Sequence, residues 1–183
     1  MNTRWLIAWR GCSRRTTAVR NLREEAAARG VARDRLVFAP KVRHEDYLAR
    51  HRLADLALDT LPYNGHATTS DALWAGLPVL TCLGTTFAGR VAASVLNAIG
   101  LNELITHTLG EYEALALDLA TNRERLAGIR SKLEEHRATY PLFDTDRFRR
   151  HIEAAYTTMW ERQQKGEPPE SFAVAPIERL RYQ

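Results

Sequence analysis

The chain has 183 residues, 45% of them hydrophobic and 26% charged, with 26 Lys and Arg against 22 Asp and Glu and a net charge of +4. That is apolar material for a real core, either one ordinary domain or about half of a larger enzyme, and it excludes a disordered or coiled-coil chain. No apolar run approaches the roughly 20 residues needed to cross a bilayer, and no small-residue cleavage site follows the short apolar stretch at the start.

Cys12 and Cys82 have neither metal-ligand spacing nor the density of a disulfide framework. A reduced, cytoplasmic protein without membrane contact is expected. The charge is unevenly placed. Residues 1–35 hold nine arginines against Glu24, Glu25 and Asp34, a net +6, so the remainder carries −2. Arginine outnumbers lysine 23 to 3 along the whole chain. Without interleaved aromatics or a known motif this reads as a solvated helix face, and nucleic acid is disfavoured as a partner.

In chain order, Trp5–Trp9 reads as a buried strand and 16–29 as a helix closed by Gly30. Leu36–Ala39 is a second strand ended by Pro40, and a short helix is expected over 44–51 with Glu45 and Asp46 in its first turn. Leu56–Leu58 is a third strand running into turn residues, then a helix starts near Thr68 or Thr69 and stops at Gly76. Pro78–Cys82 is a fourth strand, 87–99 a helix ended by Gly100, and Glu103–Thr106 a short fifth strand. Helices are expected at about 110–120, 122–138 and 145–164, and a polar, proline-bearing tail from Lys165.

Strands about 20 to 30 residues apart, with helices between, are βαβ units. Apolar runs without alternation mean strands covered on both faces. The fold expected is therefore α/β, a doubly wound parallel sheet with a helical C-terminus. The four tryptophans, Trp5, Trp9, Trp74 and Trp160, fall on apolar faces and are expected in the core.

In an open parallel sheet, ligands bind at the carboxyl ends of the strands near helix N-termini. Three loops lie there. The second, Asp59 to Gly76, is the most informative. Gly65 permits a tight backbone, and Thr68, Thr69 and Ser70 offer an N-cap hydroxyl. A helix starting here aims free N–H groups and a positive dipole end outward, which suits a phosphate. Asp71, expected within the first turn, could accept from ribose hydroxyls. Spacing alone describes a plain capped helix equally well, and caps are commoner than phosphate sites.

His66 has no ligand partners for a metal but would serve beside a diphosphate. In the first loop, Tyr47 and Arg50 share a helix face and could sandwich a flat base, although an ordinary exposed helix has the same spacing. Gly84 to Arg90 is a weaker second anion site.

The strings Leu58 to His66 and Asp71 to Thr81 resemble the C-terminal catalytic lobe of protein O-linked N-acetylglucosamine transferases, a family that includes bacterial tetratricopeptide-repeat relatives and the plant SPINDLY branch. Arg35–Pro40, Arg90–Ser94, Tyr140–Thr145 and Met159–Trp160 match in the same order. The resemblance implies a GT-B fold of two Rossmann-like lobes and an inverting, metal-independent transfer of N-acetylglucosamine from UDP to Ser or Thr of proteins. The UDP-sugar is a substrate and no cofactor is implied. Fucose remains an open alternative, because the SPINDLY branch shares the pattern.

Residue by residue, the resemblance implies diphosphate contacts at His66, Ala67 and Thr68, with Thr69 in the same helix start. It implies a ribose contact at Asp71 and nucleoside contacts at Val42, His44, Tyr47 and Arg50. This chain differs from the usual pattern by Tyr47 for a stacking histidine, Ala67 for threonine and His44 for lysine. No catalytic residue is implied.

Neither tetratricopeptide repeats nor an N-terminal lobe is recognisable. Residues 1–164 are therefore expected to be an incomplete C-terminal donor-binding lobe and 165–183 a tail. Such a lobe is expected to be inactive alone, with UDP-GlcNAc, a protein acceptor and a separately encoded N-terminal lobe as its partners. The alternative is a non-catalytic nucleotide-binding or protein-interaction remnant.

Overall fold

The computed structural model describes residues 5–7 and 16–176. Five short strands and seven helices follow one another in these segments. Trp5–Ile7 (β1) pairs in parallel with Leu36–Phe38 (β2), Trp5 opposite Leu36 and Ile7 opposite Phe38. Between them runs Thr16–Ala28 (α1), largely exposed, with Arg20 and Arg23 balanced by Glu24 and Glu25. His44–Arg50 (α2) follows β2.

A second parallel sheet has the order Ala57–Leu58 (β3), Val79–Cys82 (β4), Ile105–Thr106 (β5). Ala57 lies opposite Val79, and Thr81 opposite Ile105. Ala67–Trp74 (α3) connects β3 to β4, and Val91–Ala98 (α4) connects β4 towards β5. Leu109–Thr121 (α5), Arg123–Thr139 (α6) and Thr145–Gln164 (α7) complete the chain. Parallel strands joined through helices make the α/β architecture the periodicity predicts, with the hydrogen-bonded ladder in two pieces.

The central strand β4 is buried at all four positions, which explains its unbroken apolar run. Around it pack Leu73 of α3, Leu96 of α4, Ile99, Leu101, Leu104, Leu119 of α5, and Ile129 and Leu133 of α6. Helix α6 is tied down at its middle and near its C-terminal end. Arg130 donates to the carbonyl of Ala54 just before β3, and Arg137 to the carbonyl of Trp74 at the end of α3. Gly100 turns the chain after α4 with φ +70°, and a Cβ there would sit 2.2 Å from the Tyr140 ring, so only glycine fits. That ring stacks on His136, which bonds the carbonyl of Ile99.

Several sequence expectations shift. Helix α4 begins at Val91 instead of residue 87, because the preceding residues close on themselves: Gly84 N–H donates to Gly89 at 2.7 Å and Arg90 N–H to Phe87. The fifth strand shrinks to two residues after a 3-10 turn at Asn102–Leu104. Trp74 and Trp160 are not core residues. They are 55% and 65% exposed, with Trp74 edge-on against Phe143. Their spacing put them on apolar stripes, but these stripes are left largely open to solvent at both positions. The side chain of Trp5, and all of Trp9 and Cys12, lie outside the described residues. Cys82 is buried and reduced. Past α7 the chain has no regular structure to residue 176, and Arg162 lies over the Phe172 ring and pairs with Glu170.

No helix among the described residues is long and apolar enough to cross a membrane.

Candidate functional site

The carboxyl ends of β3 and β4 meet at one carboxylate. Asp59, directly after β3, accepts from the backbone N–H of Thr60 (2.9 Å) and Gly65 (2.6 Å) through Oδ1, and from the Thr81 hydroxyl (2.6 Å) through Oδ2. Its own carbonyl accepts from the Tyr112 hydroxyl of α5 at 2.9 Å. Thr106 of β5 donates its hydroxyl to the Thr81 carbonyl, so all three strands of this sheet are stitched near the site. Burial raises the Asp59 carboxyl above its ordinary value. Its hydrogen bonds to Thr81, Gly65 and Thr60, and the neighbouring His66, only partly offset that.

The loop from Thr60 to His66 is closed internally. The Thr60 hydroxyl donates to the Tyr63 carbonyl and Asn64 Nδ2 to the Thr60 carbonyl. Asn64 N–H reaches the carbonyl of Ala88, which joins this loop to the one after β4. Asn64 is fully buried, yet its Oδ1 has no hydrogen-bond partner among the described residues.

His66 is the N-cap of α3, and its side chain makes no cap bond. Its ring is stacked on Tyr63 (5.1 Å between centroids) and meets Phe87 edge-on (6.0 Å). Buried between these rings, Nε2 finds no partner among the described residues. Leaving such an atom unpaired costs about 1–3 kcal/mol, so an external acceptor or donor is the chemistry this position invites.

The helix start corrects two sequence expectations. Helix α3 begins at Ala67, and neither Thr68 nor Thr69 caps it. Thr69 is buried and donates its hydroxyl back to the Gly65 carbonyl at 2.9 Å, as a side chain inside a helix does. Thr69 and Ser70 direct their N–H groups to the His66 carbonyl. The N–H groups of Ala67 and Thr68 bond no described residue. Because the helix starts earlier than expected, Asp71 falls just beyond its first turn, partly buried.

The α2 residues form a second group. Val42 is half-buried and His44 exposed. The His44 and Tyr47 rings stack at 6.1 Å, and Tyr47 meets His51 edge-on at 4.6 Å. Arg50 donates to the Pro40 carbonyl at 3.0 Å, which turns its guanidinium back to the start of its own loop. Tyr47 thus lies between the His44 and His51 rings, while the Arg50 guanidinium is bonded to the Pro40 carbonyl. Asp59, Asn64, Thr81, Phe87 and Tyr112 were not anticipated as site residues. An acid immediately after a strand was the one available signal, and it pointed to Asp59.

These elements match known proteins in order and shape. The chain is 40% identical over 153 residues to a probable UDP-N-acetylglucosamine–peptide N-acetylglucosaminyltransferase, SEC, of Arabidopsis thaliana, a match covering 83% of this chain and 16% of that protein. A Caenorhabditis elegans UDP-N-acetylglucosamine–peptide N-acetylglucosaminyltransferase is 36% identical over 81% of this chain and 13% of its own length. A probable SPINDLY enzyme of Hordeum vulgare is 38% identical over 69% and 13%. Thus the chain spans about one sixth or less of the curated relatives it matches.

Among solved structures, a variant of the Thermobaculum terrenum O-GlcNAc transferase superposes with a TM-score of 0.79 at 35% identity, over 89% of this chain and 31% of that one. The α/β architecture is thereby that of part of a GT-B catalytic region. The profile of glycosyl transferase family 41 matches residues 7–152, and the chain belongs to that family.

Proposed function

We propose that this chain is the donor-binding part of a UDP-sugar-dependent protein O-glycosyltransferase, taking N-acetylglucosamine from UDP-GlcNAc to Ser or Thr hydroxyls once the rest of the catalytic cleft is supplied. One observation carries the reading. At the start of α3, the uncommitted N–H groups of Ala67 and Thr68 stand beside the buried, unpartnered Nε2 of His66. Such N–H groups and the positive end of the helix suit a diphosphate. In the tautomer that protonates Nε2, His66 adds a donor.

In the proposed reaction the acceptor oxygen attacks the anomeric carbon as the bond from that carbon to the UDP oxygen breaks, and the acceptor proton goes to a base. UDP leaves with the bonding electrons. Donors aimed at a leaving diphosphate stabilise the charge that grows on it in the transition state. Asp71, one turn into α3, takes the ribose hydroxyls. Val42, His44, Tyr47 and Arg50 form the nucleoside side, with the His44–Tyr47 pair as its aromatic surface. Ala67 contributes only its backbone, so His66 and Thr68 carry more of the diphosphate than they would beside a threonine.

The relatives are at least six times longer than the matched segment, which supports a partner lobe as the source of acceptor binding. Positioning acceptor and donor together accounts for much of a transferase's rate, so the chain alone is expected to bind without transferring. The α7 stripe of Phe148, Ile152, Tyr156, Met159 and Trp160, exposed along its length, is a surface consistent with such a partner.

Calorimetric titration with UDP and UDP-GlcNAc tests the donor reading. Dissociation constants of about 0.1–1 mM are expected, weakened about tenfold or more in Asp71→Ala. Absence of heat at millimolar UDP would remove the reading. Binding that persists without transfer, even with an upstream catalytic lobe supplied, would favour a binding-only protein.

A further inference from the structure

We propose that Asp59 is a positioning residue for the nucleotide diphosphate: its carboxylate ties Gly65 to the end of β4 and so sets where α3 presents Ala67, Thr68 and His66. The inference rests on the donor-site reading above. Oδ1 accepts from both ends of the loop, Thr60 and Gly65, while Oδ2 is fixed by the hydroxyl of Thr81, which is fully buried in the central strand. The Tyr112 hydroxyl holds the Asp59 backbone from the opposite side, through its carbonyl. The position of the carboxylate is therefore dictated by β4 and α5, and the loop takes its position from the carboxylate.

Gly65 transmits that position to the helix. A Cβ on Gly65 would lie 2.6 Å from the Thr69 hydroxyl oxygen and 2.7 Å from that of Thr68. Its N–H is held by Asp59 and its carbonyl by Thr69. Gly65 thus touches the first turn of α3 directly, with no slack to absorb a shift. A displacement of Gly65 moves the N–H groups of Ala67 and Thr68, and sites of this kind tolerate only about 0.5 Å before function falls.

A carboxylate kept purely to stabilise the fold would be expected to have its charged form favoured by folding. Here burial outweighs the hydrogen bonds and the charged form is disfavoured. The cost to stability at neutral pH fits a group retained for the geometry it imposes.

The test compares UDP affinity in the wild-type chain, Asp59→Ala and Asp59→Asn, with near-UV circular dichroism and thermal midpoint measured on each. Asparagine keeps an Oδ1 acceptor for Thr60 and Gly65 and turns its amide towards the Thr81 oxygen. Asp59→Ala is expected to bind UDP about tenfold more weakly with its near-UV spectrum retained, and Asp59→Asn within about threefold of wild type. Amide exchange at Gly65 should accelerate in the alanine variant and not in the asparagine variant.

Equal affinity in Asp59→Ala and wild type overturns the inference, as does an asparagine variant as weak as the alanine one. If Asp59→Ala does not fold, Thr81→Val decides: a loss of about threefold supports the inference and unchanged affinity overturns it. A wild-type chain that binds no UDP overturns the donor reading itself, an outcome distinct from binding that is indifferent to Asp59.

Discussion

The hydroxyl of Tyr112 donates to the backbone carbonyl of Asp59 across 2.9 Å, joining α5 to the first residue after β3. Burial, with the Asp59 and Cys82 charges adding to it, pushes the phenol up to about 12. The unfolded chain releases this proton near the ordinary phenol value of 10.0 and the folded chain only near 12. The stabilisation is therefore whole below pH 10.0 and is lost as pH rises towards 12. Absorbance titration at alkaline pH should show a tyrosine ionising at about 12 that disappears in Tyr112→Phe. The same variant, stripped of one hydrogen bond, should lose about 1 kcal/mol in urea unfolding.

Asp59 gives a signature of the same sign at acidic pH. Its folded value is raised above 3.8, so between 3.8 and that value the native chain holds a proton that the unfolded chain has released. Stability from this group therefore falls as pH rises through that window and stays low above it. Melting curves of wild type and Asp59→Asn should diverge in favour of the asparagine variant as pH rises above 3.8. Curves that stay parallel above pH 3.8 would show that Asp59 does not titrate with a raised value.

Gly65→Ala places a methyl group against two hydroxyl oxygens at 2.6 and 2.7 Å and against Asp59 Oδ1 at 3.3 Å. Relieving those contacts should cost about 1–3 kcal/mol, seen as a fall of about 2–12 °C in the thermal midpoint. Since the methyl group pushes against the first turn of α3, UDP affinity should fall together with the midpoint.

The α7 stripe sets an association prediction. Phe148, Tyr156, Met159 and Trp160 are each more than half exposed on one helix, and apolar patches of that kind drive association. Gel filtration at rising concentration should show earlier elution, abolished in Phe148→Glu with Trp160→Lys. A wild-type chain that stays monomeric at the highest concentrations would count against an adhesive role for this face.

Sequence alone revealed what depends on local pattern. The unbroken run at 78–82 indicated a strand covered on both faces, and β4 is buried throughout. The glycine after 87–99 marked the end of α4, where Gly100 takes a positive φ. What depended on distant partners was not legible. Trp74 and Trp160 had core-like spacing, but whether an apolar stripe is covered is decided by other elements. Tyr112 is 53 residues from the carbonyl it bonds, and no local rule links the two. The Thr68 and Thr69 hydroxyls matched a cap signature, yet the sharp turn at Gly65 and His66 moved the helix start one residue earlier and drew Thr69 back to Gly65. The position of Asp59 after a strand was visible, while its role required Thr81 of the neighbouring strand.

The hydrophobic core is lopsided. The fully buried apolar side chains run from Ala72 to Leu133, and among residues 17–63 none is fully buried. Segments with so little burial open at a lower free energy than the core does. The two halves of the proposed nucleotide cradle should therefore keep different time: amides around His44–Arg50 exchanging with solvent quickly, those of α3 and the β4 strand behind it slowly. A nucleotide spanning both would slow the faster clock towards the slower one, and hydrogen exchange with and without UDP would read that convergence as an ordering of the base side against a diphosphate side already set.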